Sequence, residues 1–182
     1  MQPGEGRRAR VAAMSTASAL GLAVDDAVVL SDSNRLVVRL MPCDVVARIA
    51  PVGYRVFALA VGAERELEIV ERLAEKDGPV AVLEPRVEPR VFVRDGFEIA
   101  MWTYFEPEQS REVSPEDYAH ALDRLHDVMR NVDVTTPHFT DRAADVQRWV
   151  ARRDVTPDLT GEDRELLADR LGSLRRNFPP RR

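Results

Sequence analysis

Apolar positions recur with two different periods along the chain, and the change between them divides it into a front half and a back half. A helix is expected at about residues 8–21. The runs Ala27 to Leu30 and Leu36 to Leu40 then flank the polar turn Ser31-Asp32-Ser33-Asn34, a pattern that predicts a hairpin. Val-Val-Ala-Arg-Ile-Ala at 45–50 predicts a third strand, stopped by Pro51. Residues 58–76 carry a long amphipathic helical stripe that ends at Asp77-Gly78-Pro79. Extended segments are expected at 80–94 and 97–105, joined by the tight turn Asp95-Gly96. Ser114 followed by Pro115 marks a helix start, after which Tyr118, Leu122, Leu125 and Met129 fall at helical spacing. Two more helices are expected at about 139–153 and 161–176, the second capped by Thr160. This order predicts an α+β chain: a mostly antiparallel sheet of about five strands carrying one helix, then a run of helices.

Composition narrows the chemistry. The 182 residues are 45% hydrophobic, enough for a real core and too apolar for a largely disordered chain. With 26 basic against 31 acidic residues, the balance argues against nucleic acid as the main partner. A single cysteine, Cys43, excludes an internal disulfide framework and a multi-cysteine zinc site. All but one of the basic residues are arginine, and the one lysine is Lys76. Lysine chemistry at any other position, a Walker A loop included, is therefore excluded, and arginine is the cation left to grip phosphate or carboxylate. His120 and His126 are six residues apart on a predicted helix, on roughly opposite faces, which argues against shared metal ligation. No run is long and apolar enough for a transmembrane helix. Arg7, Arg8 and Arg10 ahead of the run Val11–Val24 loosely imitate a secretory signal, diluted by Ser15, Thr16 and Ser18; the other reading is a first helix behind a disordered lead at 1–13.

One acid stands in an unexpected place. On a helical projection of 58–76 centred on Glu66, the residues Leu59, Gly62, Ala63, Ile69, Val70 and Leu73 fall within about 60° of it. Glu64, Glu68, Glu71 and Glu75 fall on the far side. A carboxylate inside the apolar stripe needs a partner, because desolvating it alone costs several kcal/mol. Strand 45–50 supplies a candidate, since alternation places Val46, Arg48 and Ala50 on one face and Arg48 is the only cation there. Either Arg48 and Glu66 form a pair, or both sit at the edge of the core and reach to water.

These features resemble the small lobe of the protein-kinase-like fold, and specifically the aminoglycoside phosphotransferase family. The hairpin Ala27–Leu40, Val-Val-Ala-Arg at 45–48, Arg-Glu-Leu at 65–67, Gly78-Pro79-Val80, Phe97 to Tyr104 and Leu125-His126 carry the resemblance. It implies a kinase-like lobe over 14–105 and the helical start of a large lobe over 106–182. It further implies ATP with magnesium as cofactor, a small hydroxyl-bearing substrate, and a cytoplasmic location. In that family the third-strand cation contacts the ATP phosphates and pairs with an acid on the next helix, roles that fall to Arg48 and Glu66. Val46 would then line the adenine site, and the backbone of Trp102 to Tyr104 would meet the adenine edge. Asn34 lies in the turn above the phosphates, a turn without glycine. The family's His-Gly-Asp-x4-Asn loop and the later aspartate that holds magnesium are not in this sequence. The resemblance therefore implies a front portion, inactive alone, that breaks off before the catalytic loop. The alternative is a non-catalytic nucleotide-binding or dimerisation module that self-associates through exposed helices.

Overall fold

A computed structural model describes residues 3–52, 62–107, 113–135 and 138–178. The described residues up to Asp133 form one compact unit and those from Val134 onward a second. The first unit contains α1 (Pro3–Ala19), β1 (Val24–Asp32), β2 (Leu36–Pro42), β3 (Val45–Pro51), α2 (Ala63–Ala74), β4 (Phe92–Arg94), β5 (Phe97–Thr103) and α3 (Pro115–Met129). The second contains α4 (Phe139–Ala151) and α5 (Gly161–Asn177). The chain is α+β, and its five strands form one antiparallel sheet in the order β1-β2-β3-β5-β4.

Strand alternation gives this sheet two different faces. Leu36, Val38 and Leu40 of β2, Val45, Ala47 and Ile49 of β3, and Phe97, Ile99 and Met101 of β5 are buried on the first. α1 covers that face with Ala9, Ala12, Ala13 and Ala17, a stripe of small side chains that lets the helix backbone approach closely. Thr16 lies in the same stripe, and its Oγ1 donates to the Ala12 carbonyl at 2.8 Å. The helix stops at Gly21, whose φ of +86° suits a residue without Cβ, while the Leu22 N–H returns to the Ala17 carbonyl. Residues 3–13 therefore belong to a helix and not to a disordered lead, because Ala9, Ala12 and Ala13 are needed to seal the sheet.

The second face is apolar only over its middle. There Leu67 of α2 packs with Ala100 and Trp102 of β5, joined by Val46, Val70, Leu83 and Val91. α2 starts at Ala63; the expected start at 58 and the stripe residue Leu59 lie outside the described residues. Its stop is as expected: Asp77 takes a φ of +54°, and the Gly78 N–H donates to the Leu73 carbonyl at 2.8 Å. The Asp95-Gly96 turn also forms, with φ of +51° and +84°. The expected strand at 80–94 shortens to β4, and residue Leu83 makes only an isolated bridge to Trp102.

The helices of the back half match their capping signals. Ser114 Oγ accepts from the Asp117 N–H, and Thr160 forms a capping box with Asp163. α3 nevertheless buries none of its residues, and it groups with the sheet in the first unit. In the second unit, Arg164 of α5 donates to the carbonyls of Val150 and Thr156, closing the end of α4. Among the described residues no helix is long and apolar enough to cross a membrane.

Gly78 holds the end of α2 by close approach. A Cβ built there would stand 2.8 Å from the Leu73 carbonyl oxygen, which is backbone and cannot swing aside. Gly78→Ala is expected to destabilise the fold by about 1–3 kcal/mol in chemical denaturation, as overpacking does. Gly4→Ala, where a Cβ meets nothing within 4 Å, should leave stability unchanged or slightly raised.

Candidate functional site

β2 and β3 present their polar residues on the second face of the sheet. Arg35, at the end of the hairpin turn, continues the alternation of Val37 and Arg39 on β2, while β3 offers Val46 and Arg48. Register places Val37 opposite Arg48 and Arg39 opposite Val46, and on the other side of β3 Arg48 opposite Ala100 and Val46 opposite Trp102. Each arginine thus lies beside an apolar neighbour, along which its stem can pack.

Glu66 reaches this face from α2. Its Oε1 accepts from Arg48 Nη1, and its Oε2 accepts from Arg35 Nη1 at 2.5 Å. Leu73, about 20° from it on the helical projection, and Leu67, about 100° from it, are both buried, while the Glu66 side chain remains 25% exposed. Both readings of the sequence are met in part, since Arg48 and Glu66 pair and do so at the border of the core. Arg48 also lies over the Trp102 ring, 5.3 Å from its centroid, a cation–π contact that fixes one face of the guanidinium. Two cations around one carboxylate leave the triad with a net charge of +1. Beyond these bonds to Glu66, the guanidinium N–H groups of Arg35 and Arg48 make no hydrogen bond among the described residues.

The other expected site residues are placed differently. Val46 packs against the Trp102 cluster. Asn34 is exposed at the hairpin tip; Ser31 and Asp32 belong to β1, so the turn is Ser33-Asn34-Arg35. Trp102 is 4% exposed, and its Nε1–H is buried without an acceptor. In the segment 102–104, expected to meet an adenine edge, two backbone N–H groups already have acceptors. The Thr103 N–H donates to the Val82 carbonyl at 2.9 Å and the Tyr104 N–H to the Asp44 carbonyl at 3.2 Å, because 82–84 and the β2–β3 turn complete the sheet there. The Tyr104 ring lies under Arg39, and desolvation, together with the hydrogen bond its hydroxyl donates to Glu106, pushes its pKa up. Arg39 is itself held by Asp44 and Glu106.

One acid and a thiol complete the surroundings. Glu84, whose side chain is 1% exposed, had no periodic signal in the sequence and was missed. Its Oε1 accepts from Arg86 Nε at 2.5 Å and from the Arg86 N–H at 3.1 Å, and its Oε2 from Arg86 Nη2 at 3.0 Å. These bonds hold the carboxyl below the usual glutamate range against the opposing effect of burial. Arg86 also donates to the Cys43 carbonyl, tying the 84–86 segment to the β2–β3 turn. The Cys43 thiol donates to the Leu40 carbonyl and burial pushes its pKa up, so it is a poor nucleophile. His120 and His126 are exposed on α3, and His138 caps α4.

The residues present suit a phosphate chain better than a metal. Arg35 and Arg48 offer free guanidinium donors on one face, whereas among the described residues no three His, Cys, Asp or Glu side chains are grouped to hold a cation. Comparison with protein-family models, with curated proteins and with solved structures finds no match to this chain.

Arg86→Ala would strand the Glu84 carboxylate in the core and is expected to cost about 3 kcal/mol near neutral pH. That cost depends on pH in a checkable way. A depressed folded pKa gives the native protein stability that is full above the ordinary glutamate range and is lost as pH falls through the lowered value. Without Arg86 the buried acid protonates readily, so the gap in stability between the two proteins should narrow on acidification. Denaturant melts from pH 7 down to 3 test this, and a gap of constant size would show that Arg86 does not act through the Glu84 charge.

Proposed function

We propose that this chain provides the nucleotide-binding lobe of an ATP-dependent phosphotransferase of protein-kinase-like type, similar to the aminoglycoside phosphotransferases. One observation carries the reading: Arg48 on the third strand is ion-paired to Glu66 on the next helix, on the sheet face that α1 leaves open. A β-strand cation pinned by a helix carboxylate is an arrangement suited to orienting phosphate groups, because the carboxylate fixes the cation without removing its remaining donors. The five-stranded antiparallel sheet with α2 inserted between β3 and β4 supports the same reading.

In this proposal Arg48 grips phosphate, Glu66 positions it, and the base rests on Val46 and Val37. The 103–104 amides are committed within the sheet, so the base is held by its face and not by its edge. The acceptor is a small hydroxyl compound held outside the lobe, and the location is cytoplasmic. The chain binds nucleotide without turning it over, since the acid and magnesium loop of the family is not in the sequence.

Isothermal titration with ATP is the test. Arg48→Ala should weaken binding roughly tenfold or more, the scale of a charge-assisted hydrogen bond, while Arg65→Ala should change it less than threefold. Equal effects would count against the site. With the base held by its face, GTP should bind within about threefold of ATP; a preference beyond a hundredfold would show that the base is read by its edge.

A second reading is favoured by α3, where Tyr118, Leu122 and Met129 are exposed and no residue is buried. An unpartnered apolar stripe suits a protein-interaction or dimerisation module. Light scattering separates the two: a defined dimer lost on Leu122→Glu, with no response to ATP, supports the module.

A further inference from the structure

Arg35 received no role from the sequence, yet it occupies the same carboxylate as Arg48. Its side chain is 22% exposed and that of Arg48 is 34% exposed, so two partly buried cations meet at one anion. A brace for α2 needs one arginine. The second leaves the triad cationic, and a part-buried cation in excess is unfavourable unless another anion completes it. Each oxygen of Glu66 takes one nitrogen of one arginine, which holds the two guanidiniums on either side of the carboxylate with their other N–H groups uncommitted. Arg48 is further fixed by the Trp102 ring. Arg35 lies next to Asn34 at the hairpin turn, where no glycine permits close backbone approach to an anion.

We propose that Arg35 and Arg48 form a two-pronged clamp for a chain of linked phosphates, with Glu66 as the spacer that sets their separation. Two planar forks held apart recognise oxyanions on two successive phosphates better than a single phosphate, which one fork can satisfy. The Arg35 side chain takes the part that backbone amides of a glycine-rich turn would play. This assignment deepens the nucleotide reading and rests on it for the site, but it concerns the phosphate chain alone.

The probes are tripolyphosphate, ATP, adenosine and citrate, titrated calorimetrically into the 182-residue chain. Tripolyphosphate should bind, and Arg35→Ala and Arg48→Ala should each weaken it roughly tenfold or more, whereas Arg72→Ala, which removes a charge from the exposed side of α2, should change it less than twofold. Arg35→Lys keeps the charge without the fork and should recover only part of the loss, and it serves if Arg35→Ala fails to fold. Tripolyphosphate binding that does not respond to Arg35, or equal binding of citrate, overturns the phosphate clamp. ATP binding with no binding of tripolyphosphate also overturns it while leaving a nucleotide site. Tripolyphosphate bound as tightly as ATP, with adenosine not bound, sustains the clamp and removes the nucleotide reading.

Discussion

A carboxylate that reaches the border of a core calls for cations beside it, and Glu66 is met by two. The other features of the second sheet face depend on that meeting. Glu66 fixes α2 to β3 through Arg48 and to the first hairpin through Arg35, so one side chain joins the helix to two strands. Leu67 and Val70 then pack on Ala100, Trp102 and Val46, and this apolar patch shields one side of the triad. Partial burial raises the strength of the ion pairs above that of surface pairs, and the same partial exposure leaves guanidinium donors within reach of a ligand.

The two faces of the sheet differ in chemistry. Under α1 the contacts are alanine against valine, leucine and isoleucine, a dry interface with no ionised group among its cluster. On the opposite face, Arg35 of the turn and then Val37 and Arg39 of β2 alternate between cation and valine, with the complementary order on β3. Arg39 is answered by Asp44 and Glu106, and Glu84 is answered by Arg86. Arg35 and Arg48 alone on this stretch share one acid between them.

Much of this was legible from the chain. Hairpin, third strand, Asp95-Gly96 turn and the helix caps at Ser114 and Thr160 each rest on a local rule, and each forms. The Arg48–Glu66 pair was also legible, because a lone cation on a strand face and a lone acid inside a helix stripe need one another. Arg35 was not, since it follows a polar turn where an arginine carries no periodic signal. Glu84 was missed for the same reason: it lies in an irregular segment that is held to β5 by the bond from the Glu84 N–H to the Met101 carbonyl. The extent of α1 was hidden by its composition, because a stripe of alanines looks weakly apolar until a sheet is laid against it. The commitment of the 103–104 amides depends on where residues 82 and 44 come to rest, which no local pattern encodes.

The most direct measurement of the central claim is a titration of ATP followed through the arginine side-chain Nε–H resonances of the isotopically labelled chain. If the triad holds the phosphates, the Arg48 and Arg35 signals move together and saturate at one ligand concentration while Arg72 stays in place. Saturable binding that leaves both signals unmoved would show that the triad is a structural brace and that the ligand sits elsewhere.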